Sequence, residues 1–311
     1  MIITLLSLIL GSLLLLMIPR RHRTMRRAEC IRRISIYVSV GYDFGTFSLQ
    51  NIAPSTNIVL LAEAVAYVSE RVCGTAVDSL REIMIYYDLE RKLLARAVRS
   101  RGAERAYMLA LLARMPLGKE VSEIIEARFG EDADRQVQFY AMMCAVAGDR
   151  DFVGHISAFK PRLTRYEMAE LVTLLCRDMC AVAYTPLVRS QNYNLCMLGI
   201  SVVRRMDAVE AERELRRLVV EGAGTLRLEA VYVLVSLRGN ISGVSLRRWI
   251  CNSPRSQRRS LCRHFVRSGY SIRTLRALFG AEECNEAERM LNTYKCRIAS
   301  NFIVQSISLV K

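Results

Sequence analysis

The sequence has few of the residues and none of the motifs that common catalytic sites require. Its 311 residues include three histidines and one tryptophan. It contains no Gly-x-x-x-x-Gly-Lys-Ser/Thr phosphate loop, no Gly-x-Ser-x-Gly elbow and no His-Glu-x-x-His zinc helix. No pair of carboxylates stands in a distinctive sequence environment. We therefore predict a protein without enzymatic activity and without a cofactor.

Cysteines are present but lack the spacing of a metal site or a disulfide scaffold. The ten cysteines are scattered among apolar residues, which favours reduced, buried thiols. Cys176 and Cys180 share one helix face, and Cys262 with His264 would have to complete a tetrahedral zinc site. No second close cysteine pair supports this. We therefore predict no bound metal.

Charge is missing altogether from the first 18 residues, MIITLLSLILGSLLLLMI. A helix of this length spans about 27 Å, close to the roughly 30 Å of a bilayer's hydrocarbon core. A cleaved signal peptide would need a basic start and an Ala-x-Ala site, and neither is present. The basic residues follow on the C-terminal side, namely Arg20, Arg21, Arg23, Arg26 and Arg27. The positive-inside rule then predicts a single-pass anchor over residues 1–19, in the inner membrane, with the remainder in the cytoplasm.

Residues 20–55 form a basic and aromatic segment next to the predicted anchor. Its aromatic residues include Tyr37, Tyr42, Phe44 and Phe47. Aromatic rings are favoured at a membrane interface, but they more often serve packing, here by capping the first helical pair. The same stretch, ISIYVSVGYDFGTF, is the one place where an alternating strand is indicated. Residues 56–101 are predicted to form a small N-terminal helical subdomain.

A helical period extends over residues 102–296. Leu, Ala, Arg, Glu and Met are abundant and Pro is rare, which favours helix. Apolar residues recur at i, i+3, i+4 and i+7, the spacing of one buried helix face. First helices of successive pairs are predicted to begin near Ala103, Asp132, Thr164, Gln191, Thr225, Pro254 and Glu282. The predicted fold is all-α, an α-solenoid of helical hairpins that ends in a C-terminal tail over residues 297–311.

Capping residues indicate several helix boundaries. Thr164 with Glu167, and Asp207 with Glu210, have the spacing of a capping box, in which two side chains satisfy exposed main-chain N–H groups. Gly130 suits a left-handed cap at a helix C-terminus.

The repeat resembles the HEAT-like family in its short, PBS-lyase-type form, particularly its membrane-anchored bacterial members. TLRLEAVYVLVSLRG is the stretch most similar to that family's first helix, and DRQVQFYAMMCAVAG and QNYNLCMLGISVVRRM are weaker copies. The frequent proline of the first helix and the regular aspartate at the turn are largely missing. The resemblance implies stacked hairpins whose surface binds a partner.

Acidic residues are absent between Glu229 and Glu282, whereas arginines are frequent there. Guanidinium groups suit bidentate contacts with carboxylate or phosphate. A partner-binding arginine face is therefore predicted at Arg247, Arg248, Arg255, Arg258, Arg259, Arg263 and Arg267.

Several roles are open to this arginine face. We expect a protein partner, itself associated with the membrane, ahead of anionic lipid; nucleic acid is disfavoured because few aromatic residues lie near for base stacking. A plain solvated face is the structural alternative. The predicted function is a non-enzymatic, membrane-tethered scaffold or adaptor. The alternative is a HEAT-like nucleic-acid-binding protein or DNA-glycosylase-like enzyme that uses the same arginines.

Overall fold

The computed structural model describes residues 23–39, 49–53, 57–149, 151–177, 182–238 and 244–293. Within these ranges all regular secondary structure is helical and no strand occurs, which confirms the all-α prediction. The predicted anchor over residues 1–19 and the tail over 297–311 lie outside the described residues. In the part that is described, no helix is long and apolar enough to cross a membrane.

The chain divides into two compact units, Met1–Val182 and Ala183–Lys311. The helices of unit 1 are α1 (23–39), α2 (Ile58–Ser69), α3 (Thr75–Tyr87), α4 (Leu89–Arg99), α5 (Gly102–Ala113), α6 (Lys119–Phe129), α7 (Arg135–Gly148), α8 (Phe152–Ala158) and α9 (Arg165–Leu175). The helices of unit 2 are α10 (Tyr184–Val188), α11 (Tyr193–Met206), α12 (Glu212–Glu221), α13 (Gly224–Ser236), α14 (Val244–Asn252), α15 (Arg255–Arg267), α16 (Ile272–Leu278) and α17 (281–293).

Unit 1 is a stack of helical hairpins. Helices α2, α5, α7 and α9 contact one another in succession and form one layer, which we call layer A. Helices α4, α6 and α8 pack against the helices of this layer. The core between the helices is apolar, and Phe139, Leu109 and Leu112 are among its fully buried side chains.

The helix α1 packs onto the other helices of unit 1. Its residues Cys30, Ile34 and Tyr37 are buried, and the Tyr37 hydroxyl donates to Glu82 Oε2 at 3.0 Å. The strand expected to start at Ile34 is wrong over residues 34–39, because the buried side chains follow the helical period. Tyr37 serves packing; the other three aromatic residues named for this segment, Tyr42, Phe44 and Phe47, lie outside the described residues.

Unit 2 repeats the same arrangement. Helices α11, α13 and α15 contact one another in succession, and so do α10, α12, α14 and α16. The predicted first helices correspond to α5, α7, α9, α11, α13, α15 and α17, and each begins within three residues of its predicted start. The apolar period was sufficient to place them because each helix buries one face against its neighbours in the stack.

The predicted caps have mixed outcomes. The capping box at α9 is present: Thr164 Oγ1 accepts from the Glu167 main-chain N–H at 3.3 Å, and Glu167 Oε2 accepts from the Thr164 N–H at 2.7 Å. The box at Asp207 is wrong, because this residue ends α11 in the left-handed conformation, with φ of 48°. Gly130 is also not a left-handed cap, since its φ is −61°.

One glycine sets how closely two helices approach in unit 2. Gly199 lies in α11 where this helix crosses α10, and a β-carbon there would lie 2.6 Å from the Val188 main-chain nitrogen and 2.9 Å from Leu187 Cβ. Glycine at this position therefore permits the contact.

We predict that Gly199→Ala lowers the free energy of unfolding by about 1–3 kcal/mol, because the methyl group would push α10 away from α11. Alanine normally favours a helix interior over glycine by about 1 kcal/mol. The matched control is Gly154→Ala in α8, where the new methyl group would meet only the Asp151 carboxylate, at 3.2 Å. Urea unfolding, followed by circular dichroism, measures the free energy of unfolding of both variants. Equal stability of the two variants would contradict the prediction.

Candidate functional site

The predicted arginine face is largely paired within the protein. Arg259 Nη2 lies 2.6 Å from Glu282 Oε1, and Arg263 Nη2 lies 2.6 Å from Glu286 Oε1. Arg255 also pairs with Glu282. The hydrogen bonds from Arg255 and Arg259 lower the pKa of the Glu282 carboxyl. These carboxylates belong to α17, more than twenty residues further along the chain, so no local pattern in the sequence indicates the pairing.

Arg258 forms the most buried of these pairs. Its Nε donates to Glu283 Oε1 at 2.9 Å and its Nη1 to the Ser253 carbonyl at 2.8 Å, while the Glu283 side chain is 4% exposed. Unit 1 contains the same device: Arg135, at the start of α7, pairs at 2.7 Å with buried Glu167, the third residue of α9. In both units an arginine in the first turn of one helix clamps the third residue of the next equivalent helix.

Three residues of the predicted face remain outside these pairs. Arg247 and Arg248 on α14 and Arg267 at the end of α15 are exposed, and they form no ion pair with the described part of the chain.

Of the predicted membrane-flanking arginines, Arg23 pairs with Glu63 of α2 at 2.5 Å and Arg27 with the same carboxylate at 3.7 Å. Arg26 is exposed, and Arg20 and Arg21 lie outside the described residues.

A second surface, on layer A of unit 1, was not predicted. Each helix of this layer contributes one tyrosine: Tyr67 on α2, Tyr107 on α5, Tyr140 on α7 and Tyr166 on α9. The exposed fractions of Tyr67, Tyr107 and Tyr166 are 36%, 41% and 65%. We call the surface that carries these four residues the tyrosine groove.

A cavity of about 190 Å³ opens in the tyrosine groove between α5, α7 and α9. Its apolar lining comes from small and flexible side chains, and its polar lining from tyrosines, arginines and glutamates. The residues that line the cavity include Ala110, Ala113, Met143, Ala169, Leu174, Glu70, Arg114, Tyr140, Tyr166, Glu170 and Arg177. Aromatic rings, an apolar floor and a few polar groups together are typical of a binding pocket.

The Glu170 carboxylate organises the polar rim of the cavity. It accepts hydrogen bonds from Arg114 Nη2 at 2.8 Å, from the Tyr166 hydroxyl at 2.9 Å and from the Tyr140 hydroxyl at 3.1 Å. Burial and this carboxylate raise the pKa of Tyr140, and the hydrogen bond to Glu170 raises that of Tyr166. Both phenols therefore stay protonated, and their rings are held in fixed orientations.

A second polar cluster lies at the α2 end of the groove. The Tyr107 hydroxyl donates to Glu63 Oε1 at 2.6 Å, and burial together with this bond raises the pKa of Tyr107 to about 12. The Arg71 guanidinium lies over the Tyr67 ring, with its carbon 3.5 Å from the ring centroid, which is a cation–π geometry. The groove therefore presents ordered aromatic and guanidinium groups.

The residues considered for a zinc site have other contacts. The Cys262 thiol is buried and lies 3.4 Å from the Glu283 carbonyl, and its burial raises its pKa to about 12. His264 Nε2 lies 2.9 Å from the Tyr232 carbonyl oxygen. Cys180 lies outside the described residues. Among those that are described, no group of three or more His, Cys, Asp or Glu side chains is arranged to hold a metal ion.

Comparison with protein-family models, with curated proteins and with solved structures gave no match to this chain.

Sequence reasoning missed the tyrosine groove because single tyrosines in separate helices form no motif. Tyr107, Tyr140 and Tyr166 stand 33 and 26 residues apart, close to the repeat period. Aligning the repeats by their helix starts would have placed one tyrosine on each of α5, α7 and α9. The hydrogen bonds that bring two of them onto Glu170 depend on the stacking itself and have no signal in the sequence.

We predict that Arg258→Ala lowers the free energy of unfolding by about 2–3 kcal/mol, because it leaves the buried Glu283 carboxylate without its charged partner. Arg247→Ala is the matched control, since Arg247 is exposed and has no ion pair in the described chain; its effect should stay within about 0.5 kcal/mol. Urea unfolding of both variants is the measurement. An equal decrease in the free energy of unfolding for both variants would mean that the Arg258–Glu283 pair adds no more stability than an exposed arginine does.

The thiols provide an independent check of the burial pattern. We predict that native protein reacts with maleimide at Cys73 and Cys251, which are exposed, and not at Cys144, Cys196 or Cys262, which are buried. Burial raises the pKa of these last three thiols, so little thiolate forms at neutral pH. Mass spectrometry of peptides after brief labelling locates each adduct. Prompt modification of Cys144 in the native protein would contradict the packing of α5 against α7.

Proposed function

We propose that this protein is a non-enzymatic scaffold of HEAT-like hairpins, an α-solenoid tethered to the membrane by residues 1–19, that binds a protein partner. The observation that carries the proposal is the tyrosine groove of unit 1. The surface of stacked helical repeats is a common binding site, because neighbouring repeats present equivalent positions side by side.

The composition of the groove supports a protein ligand. Tyrosine and arginine are enriched among the residues that dominate protein–protein binding energy, and here they are held in place by Glu63 and Glu170. Rings that are already oriented lose little conformational entropy on binding. The cavity beside Tyr166 adds a recess for one side chain of the partner.

The tether would act through proximity. The described part of α1, from residue 23 onward, is held against the other helices of unit 1 by Arg23 and by the buried side chains of Cys30 and Ile34. An anchor that ends near residue 19 would therefore hold unit 1 next to the bilayer. Tethering raises the effective concentration of any partner exposed at the same membrane surface. We therefore propose a membrane-associated partner. The arginines that follow residue 19 support a repeat domain on the cytoplasmic side of the membrane.

A second candidate function rests on Arg247, Arg248 and Arg267, whose side chains are exposed. They remain available for anionic lipid or for nucleic acid, the alternative noted for the arginine face. Only three of the seven predicted arginines are exposed and outside the ion pairs with α17, so we rank this function below protein binding. Binding to duplex DNA that is strong at low salt and falls steeply with added salt would favour it.

We predict that p-benzoylphenylalanine in place of Tyr166 forms a discrete crosslinked product with a membrane-associated protein when cells are irradiated. The residue is 65% exposed at the rim of the cavity, so a bound partner would lie within reach of the photoreactive group. Immunoblotting of the membrane fraction detects the product, and mass spectrometry identifies its second protein.

The control places the same amino acid at Ile124, which is 53% exposed on α6, away from layer A. Products of equal yield at both positions would indicate nonspecific contact. Absence of any product at position 166 would count against the groove as the partner-binding surface. Recovery of the protein in the soluble fraction would separately contradict the tether.

A further inference from the structure

We propose that the cavity of the tyrosine groove receives one large apolar side chain of the partner, and that a carboxylate next to that side chain is bound by the arginines of the rim. The inference rests on the proposed function and specifies the chemistry of the partner segment. It is carried by the size of the cavity, by its apolar floor and by the accessible arginines Arg71 and Arg114 at its rim.

The apolar part of the ligand follows from the floor of the cavity. Ala110, Ala113 and Met143 are buried there, and Leu174 is half-buried. The volume of about 190 Å³ exceeds the roughly 150 Å³ that suffices for benzene in an apolar protein cavity. One phenylalanine, leucine or methionine side chain therefore fits. Burying such a side chain removes its apolar surface from water, which makes it an effective anchor.

The acidic part of the ligand follows from the charges. Two glutamates, Glu70 and Glu170, line this end of the groove together with Arg114, and Arg71 lies next to Glu70. Both carboxylates already have arginine partners: Arg114 lies 2.8 Å from Glu170 and 3.6 Å from Glu70, and Arg71 lies 3.5 Å from Glu70. An incoming cation would have to displace these arginines, whereas an incoming carboxylate can bind the guanidinium N–H groups that do not face the glutamates.

The accessible hydrogen-bond donors of the rim also favour an acidic ligand. The Arg71 side chain is 51% exposed while it lies on the Tyr67 ring, and the Arg114 side chain is 41% exposed at the rim. A stacked guanidinium keeps its N–H edge available for a carboxylate. The net charge of +15 on the whole chain adds a long-range attraction for an acidic segment. Asp and Glu side chains and a free C-terminal carboxylate share this chemistry.

The experiment is a selection on the full-length protein, purified in detergent and immobilised. Two random dodecapeptide display libraries serve as probes: one with both peptide ends linked, the other with a free carboxyl terminus. We expect enriched peptides to carry Phe, Leu or Met within two positions of Asp or Glu, or at the free carboxyl terminus. Enrichment in the first library indicates side-chain carboxylates, and enrichment in the second library alone indicates a chain terminus.

Ala169→Trp tests whether the cavity is the binding site. Ala169 is exposed at its edge, so the indole would fill the cavity without disturbing the core. We expect at least tenfold weaker binding of an enriched peptide. The matched control is Ala127→Trp on α6, an exposed alanine that does not line the cavity, and it should bind within twofold of the natural protein.

Arg114→Gln tests the charge. We expect binding at least fivefold weaker than for Arg99→Gln, which removes the same charge from an exposed residue of α4 that does not line the cavity. Enriched peptides that are basic, peptides without a large apolar residue, or no enrichment at all would overturn the inference, as would unchanged binding by Ala169→Trp. A crosslink at position 166 together with any of these results would leave the proposed function standing and refute only this inference.

Discussion

Every helical hairpin of this protein has apolar side chains that only a neighbouring hairpin can cover. In unit 1 the helices α2, α5, α7 and α9 stack in sequence order, and in unit 2 α11, α13 and α15 do the same. Stability in such a stack is a sum of contacts between neighbours. The Arg135–Glu167 and Arg258–Glu283 clamps connect successive helices of these layers and fix their register at the N-terminal ends.

The same dependence on neighbours explains which features the sequence could predict. Helix starts are encoded locally, by apolar period and caps, and all seven first helices of the repeat were placed within three residues. The caps that failed, at Asp207 and Gly130, depend on the backbone angle needed to enter the next turn. That angle is set by how the following helix packs, which a short stretch of sequence does not contain.

The arginine face shows how charge in sequence differs from charge in space. The stretch between Glu229 and Glu282 has no acidic residue, and on this basis its arginines were predicted to be available to a partner. Stacking brings α17 against α15, and Glu282, Glu283 and Glu286 take up four of the seven arginines. Replacing these four would therefore disturb the fold and binding together, and Arg247, Arg248 and Arg267 are the residues that separate the two effects.

The tyrosine groove arises from the same stacking. Stacking pairs four of the predicted arginines within the protein, but it brings the tyrosines of layer A together on an accessible surface. Positions on layer A that the core does not need are free to differ, and in unit 1 they carry tyrosines joined through Glu63 and Glu170. Small residues such as Ala113 and Ala169 between the rings leave the cavity open. Because the clamps hold the helices in register, the rings keep their spacing without a partner. A groove ordered in this way would select the proposed partner by shape as well as by charge, which long, mobile arginine side chains alone do poorly.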